Sequence, residues 1–84
     1  MTKNELIEVF KRAKKQRFDY VGVQIHMDGY PENELIVNKQ ENFDSKLNYY
    51  LATYDDELNH KYAKGIYIAD AKPAHFLAEF AGLF

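Results

Sequence analysis

Residues 20–37 constrain this chain more than any other stretch, because their apolar positions recur every second residue and then break at a turn. In Tyr20-Val21-Gly22-Val23-Gln24-Ile25-His26-Met27 the odd positions Val21, Val23, Ile25 and Met27 are apolar, and Gly22, Gln24 and His26 alternate with them. Successive side chains on a strand point to opposite faces, so this alternation gathers one apolar row on one side. Asp28-Gly29-Tyr30-Pro31-Glu32-Asn33 then supplies residues that accept or impose turn dihedrals, and Glu34-Leu35-Ile36-Val37-Asn38 is a second β-branched run. The stretch reads as a β-hairpin whose apolar face demands a covering layer.

The flanking segments supply that layer. Thr2-Lys3-Asn4-Glu5 matches a capping box, in which the Thr2 hydroxyl accepts the Glu5 N–H and the Glu5 carboxylate accepts the Thr2 N–H. Leu6, Ile7, Phe10 and Ala13 follow at helical spacing, and Lys11, Arg12, Lys14, Lys15 and Arg17 crowd the end where the macrodipole favours cations. The pattern predicts a helix over residues 3–15. A second helix is predicted from Asn42 onward, where Phe43, Leu47, Tyr50, Leu51, Tyr54 and Leu58 form a continuous stripe. Asp55-Asp56-Glu57 opposes the dipole late in that helix, so a break near Asp55 and a resumption toward Tyr62 are expected, with Gly65 as the stop. Ile66-Tyr67-Ile68-Ala69-Asp70 reads as a third strand, and Pro73 suits the first turn of a last helix over residues 74–83. The expected fold is α+β and two-layered, in the order α-β-β-α-β-α. A small, mainly antiparallel three-stranded sheet is covered by helices mostly on one face, with the place of the third strand left open.

At 84 residues the chain makes a single domain, 1–84, and folding buries only roughly 60–65% of the surface the unfolded chain exposes. Hydrophobic residues are 46% of the chain and charged residues 29%, which excludes a disordered segment. There is no cysteine, which excludes a disulfide framework, a zinc–thiolate site and a thiol nucleophile. No window approaches the ~18 apolar residues that span a bilayer, and no apolar leader opens the chain, so a cytoplasmic protein with no membrane contact is expected. The net charge of −2 conceals an asymmetry, with residues 1–17 at +4 and residues 18–84 at −6. Such a split can steer a charged partner.

His26, His60 and His75 lack metal-ligand spacing, and Asp55-Asp56-Glu57 lacks the alternating oxygens and glycine of a calcium loop. No metal, cofactor or catalytic residue is expected. The basic run Lys11, Arg12, Lys14, Lys15 and Arg17 is the strongest cue for a nucleic-acid or acidic partner, set against the simpler reading of a solvated helix end. Tyr20, Gln24 and His26 lie on the strand face opposite the apolar row. With Tyr30 on the turn and Tyr49 off the helical stripe, they are the candidate protein contacts. Phe80, Leu83 and Phe84 make the chain end apolar, fit either to pack back on the sheet or to fill a second subunit.

Gly65-Ile66-Tyr67 and Tyr20-Val21-Gly22 resemble the tripeptides of GIY-YIG nucleases but stand in the reverse order, which sets that family aside. The α-β-β opening resembles double-stranded-RNA-binding domains over the first half only. In size, acidic tyrosine-rich character and lack of cysteine, the chain is similar to small orphan proteins of phages and prophages, which implies an accessory role. The expectation is a non-enzymatic interaction module, monomer or homodimer, that binds another macromolecule. The alternative is a nucleic-acid-binding accessory protein using the basic end of the first helix.

Overall fold

The computed structural model describes residues 1–82. Helix α1 spans Lys3–Lys15 and opens on the capping box, with the Glu5 N–H donating to Thr2 Oγ1 (3.3 Å) and the Thr2 N–H to Glu5 Oε1 (2.9 Å). Those donated hydrogen bonds hold the Glu5 carboxyl below the usual carboxylate range. The helix closes in a Schellman motif: Arg17 sits at φ +57°, its N–H reaches the Lys14 carbonyl (3.3 Å), and the Phe18 N–H reaches the Ala13 carbonyl (2.9 Å). That turn feeds strand β1, Tyr20–Met27, which runs through the middle of the sheet.

Strand β2, Glu34–Lys39, and strand β3, Ile66–Ala74, flank β1 on opposite sides, both antiparallel to it. Val21, Val23 and Ile25 face Asn38, Ile36 and Glu34 on one side and Pro73, Ala71 and Ile68 on the other. This row meets the helical layer, in which α1 crosses β1 and β3 while α2, Phe43–Thr53, packs against α1 and β2. Leu6, Phe10, Phe43 and Tyr50 fill the space between the layers, and Phe10 meets Phe43 edge-on with ring centroids 5.7 Å apart. The Tyr50 hydroxyl is satisfied by donating to Asn38 Oδ1 (3.2 Å), and Asn38 Nδ2 donates to the Val21 carbonyl (3.0 Å), so the buried polar pair ties α2, β2 and β1 together. Among the described residues, no helix is long and apolar enough to cross a membrane.

Two expectations are corrected. The second helix ends at Thr53 and does not resume: Tyr54 is extended (φ −113°, ψ 149°), and Asp55 Oδ1 draws the Glu57 and Asn59 N–H groups (3.0 and 2.9 Å) into a turn. A side chain that satisfies its own downstream backbone competes with helix continuation. Tyr54 and Leu58 still reach the core, Leu58 from a left-handed conformation at φ +62°. Gly65, at φ +81°, belongs to the turn that enters β3.

The last helix is also absent from the described residues. Strand β3 continues through Pro73 to Ala74, and only a 3-10 turn, Leu77–Phe80, follows. Glu79 Oε2 closes that turn by accepting the His75 and Phe76 N–H groups (2.8 and 2.9 Å), which lowers its carboxyl pKa. The turn swings Phe80 onto the other side of the sheet, flat against Gly22. A Cβ at Gly22 would lie 2.6 Å from the Phe80 ring, so only glycine lets the ring lie there.

Candidate functional site

The outer face of β1 carries three of the contact residues expected from sequence, and the structure places them among in-chain partners. Gln24 is buried, and its Oε1 accepts from Asn33 Nδ2 (3.0 Å). His26 stacks on Tyr67 with centroids 4.7 Å apart, while its Nδ1 and Nε2 lie 3.2 Å from Asn33 Oδ1 and Asp28 Oδ1. Tyr20 is half-buried. Together with Phe80 on Gly22, these side chains brace the hairpin loop and close the middle of the outer face. Phe80 is buried within its own chain, whereas Leu83 and Phe84 lie outside the described residues. Tyr30 at the hairpin tip and Tyr49 on α2 are exposed, the latter with the Lys46 ammonium 5.1 Å from its ring centre.

At the basic end of α1, Lys14 is bound to Asp44 at the start of α2 (3.0 Å), and Lys11 lies 3.9 Å from Glu8. Arg12, Lys15 and Arg17 have no ion-pair partner among the described residues. His60 accepts the Tyr62 N–H on Nδ1 (3.0 Å), and His75 stacks on Phe18, 3.7 Å from Asp19. Among the described residues no three metal-capable side chains converge.

The two edges of the sheet differ more sharply than any pair of side-chain clusters. On β3, residues 54–60 fold back along the edge: the Ile68 N–H donates to the Leu58 carbonyl (2.9 Å) and the His60 N–H to the Ile66 carbonyl (2.8 Å). A bulge shifts the β3 register opposite Gln24 and Ile25, and Pro73 occupies the same edge further on. Val21 opposite Pro73 is a non-hydrogen-bonded pair, because β1 uses the alternate residues Tyr20, Gly22 and Gln24 to bond β3. The missing proline donor therefore falls on the outside and costs the ladder nothing.

Among the described residues, strand β2 has no such cover. The Gln40 N–H donates to the Asp19 carbonyl (2.9 Å), which sets the phase of the ladder: Asn38, Ile36 and Glu34 turn their backbone groups toward β1, Leu35 and Val37 turn theirs outward, and Lys39 turns its N–H outward while its carbonyl opens the 3-10 turn Gln40–Asn42. Beside this edge lies a shallow groove of about 290 Å³, lined by Ile36, Val37, Asn38, Lys39, Glu41, Asn42 and Lys46. Compared with protein-family models, curated proteins and solved structures, the chain matches none. Function therefore has to be argued from the site itself.

Backbone donors and acceptors at strand spacing can bind an extended chain, and the groove beside them can take its alternate side chains. The sequence reading missed this edge, although one signal was present: Leu35-Ile36-Val37 carries neither the charge nor the proline with which exposed edges are usually blunted. That signal counts only once β2 is known to lie at an edge, which the pattern of residues leaves open.

Proposed function

We propose that this protein is a small non-catalytic module that binds polypeptide by taking an extended segment as a fourth strand along β2. The observation that carries the reading is the row of outward backbone groups at Leu35 and Val37 and the Lys39 N–H, left open among the described residues in a fold that covers its opposite edge. Each hydrogen bond made there contributes about 0.5–1.5 kcal/mol net, so the donors and acceptors of Leu35 and Val37 and the Lys39 donor give binding that side-chain contacts in the groove can refine. An acidic or nucleic-acid partner at the basic end of α1 has less behind it, since Lys14 and Lys11 already face carboxylates of the same chain.

A display selection of random peptides against the immobilised protein tests this. Selected peptides should slow amide exchange at Leu35, Val37 and Lys39 and should lose their affinity for Val37→Pro. Binders that protect only the basic end of α1, or that ignore the proline, would refute strand addition.

A further inference from the structure

The β2 edge is complementary to itself, and we infer that its polypeptide partner is a second copy of this chain. The inference rests on the strand-addition reading. The outward residues are spaced evenly about Val37. A two-fold axis normal to the sheet through Val37 thus pairs Val37 with Val37 and Leu35 with Lys39 of the other copy. Val37 meets Val37 in a two-bond pair and each Lys39 N–H meets the Leu35 carbonyl of the other copy, which gives four backbone hydrogen bonds by the alternation of an antiparallel ladder, the Lys39 carbonyl being held by the 3-10 turn Gln40–Asn42. The same axis keeps both helical layers on one side, and the product is a continuous six-stranded sheet in the order β3-β1-β2-β2-β1-β3.

Charge selects the same arrangement. Glu34 is exposed at the start of β2, while Lys39 and Lys46 line the groove at its far end, together with the single opposing carboxylate Glu41. An antiparallel second copy brings Glu34 of each chain to the Lys46 end of the other, so the favourable approach occurs twice. A parallel copy would set Glu34 against Glu34 and Lys39 against Lys39, which is repulsive. The edge strand also carries the half-open Val37 and the partly buried Leu35 and Ile36, whose remaining exposed surface is covered in the pair.

Sedimentation equilibrium over micromolar to millimolar protein, read beside amide exchange, tests the pairing. The expected result is a reversible dimer in which protection of Val37 and Lys39 rises with concentration. Val37→Pro should be monomeric while keeping its circular dichroism, because the lost N–H faces outward. Glu34→Lys should weaken self-association about tenfold, and adding Lys46→Glu should restore it, since reversing two symmetric exposed pairs is worth about a factor of ten. The charge swap keeps the test decisive if the proline variant fails to fold. A monomer at every concentration that still takes selected peptides on β2 would overturn the second copy and leave strand addition standing. A dimer indifferent to Val37→Pro and Glu34→Lys would overturn the interface.

Discussion

The covered and open edges of this sheet solve the same problem in opposite ways. Strand β3 is closed by its own chain: Asp56 accepts the Lys3 N–H at the start of α1 (3.0 Å), Leu58 drops its side chain into the core, and the backbone of Leu58 and His60 bonds Ile68 and Ile66. A bulge and a proline finish the job. Strand β2 presents three outward residues and a central apolar run, Leu35-Ile36-Val37, that nothing among the described residues covers and that carries charge only at the strand ends, Glu34 and Lys39. Open apolar edges invite pairing with other chains, so the contrast between the two edges is what supports the proposed contact on β2. The asymmetry also locates where stability is invested, and three substitutions measure it.

Leu58→Ala should have the largest effect. Its side chain is fully buried and its backbone caps β3, so truncation removes core contacts and unseats the cover at once. The expected loss is about 2–5 kcal/mol, with a fall in Tm of roughly 10 °C or more for a domain of this size. If the cover is what defends β3, the Ile68 amide should become exchange-labile and the protein should aggregate more readily. An Ile68 amide that stays protected in Leu58→Ala would break the comparison, because the edge would then be guarded by something other than residues 54–60.

The hairpin was legible in the sequence because period-two alternation is a direct image of a strand with one buried face, and α1 because its capping box and cationic end mark both termini. Tyr54 and Leu58 show where that legibility stops. Helical spacing marked them for burial, and buried they are, but Asp55 bonds its own downstream backbone and delivers Leu58 from a turn at φ +62°. Periodicity reports which side chains seek the core and is silent on the backbone that brings them there. Pro73 misled for a related reason: a residue without an N–H suits a first helical turn or the outer side of an edge strand equally well, and only the register with Val21 decides. The candidate site was hidden further, since it consists of backbone groups whose exposure depends on strand order. The side chains singled out in its stead, Gln24 and His26, are polar because they hold Asn33 and Asp28.

Behind the open edge, Tyr50 tests how firmly β2 is held. Burial pushes its hydroxyl pKa up to about 12, against 10.0 for an ordinary tyrosine, and Tyr54 is raised in the same sense. The folded state disfavours ionised Tyr50, so its contribution is complete below the unfolded value near 10 and is lost as pH rises toward 12. About 2–3 kcal/mol should disappear across that window. Denaturant melts at pH 9, 10, 11 and 12 should show this fall for the natural protein and a smaller one for Tyr50→Phe. The variant starts lower, because Asn38 Oδ1 loses its donor. Equal alkaline slopes would mean that the Tyr50–Asn38 tie does not anchor β2, and the open edge would then be a loosely held strand.

The smallest effect belongs to Asp55, and it separates the edges most cleanly. Its Oδ1 accepts two backbone N–H groups, at Glu57 and Asn59, and so shapes the turn that carries the cover without itself filling the core. Asp55→Ala should cost about 0.5–2 kcal/mol, as the loss of a helix cap does. Asp55→Asn keeps the accepting oxygen and should be close to neutral. Exchange at Ile68 should quicken in the alanine variant, while Leu35, Val37 and Lys39 keep the rates and concentration dependence of the natural protein. A change at β2 instead would mean that the two edges are coupled through β1, so that loosening the covered side alters what the open side can bind. Independence is expected, because Asp55 acts through β3 and α1, whereas β2 is held from behind by Tyr50 and Asn38, whose side chains bond neither Asp55 nor the Glu57 and Asn59 amides that it draws in.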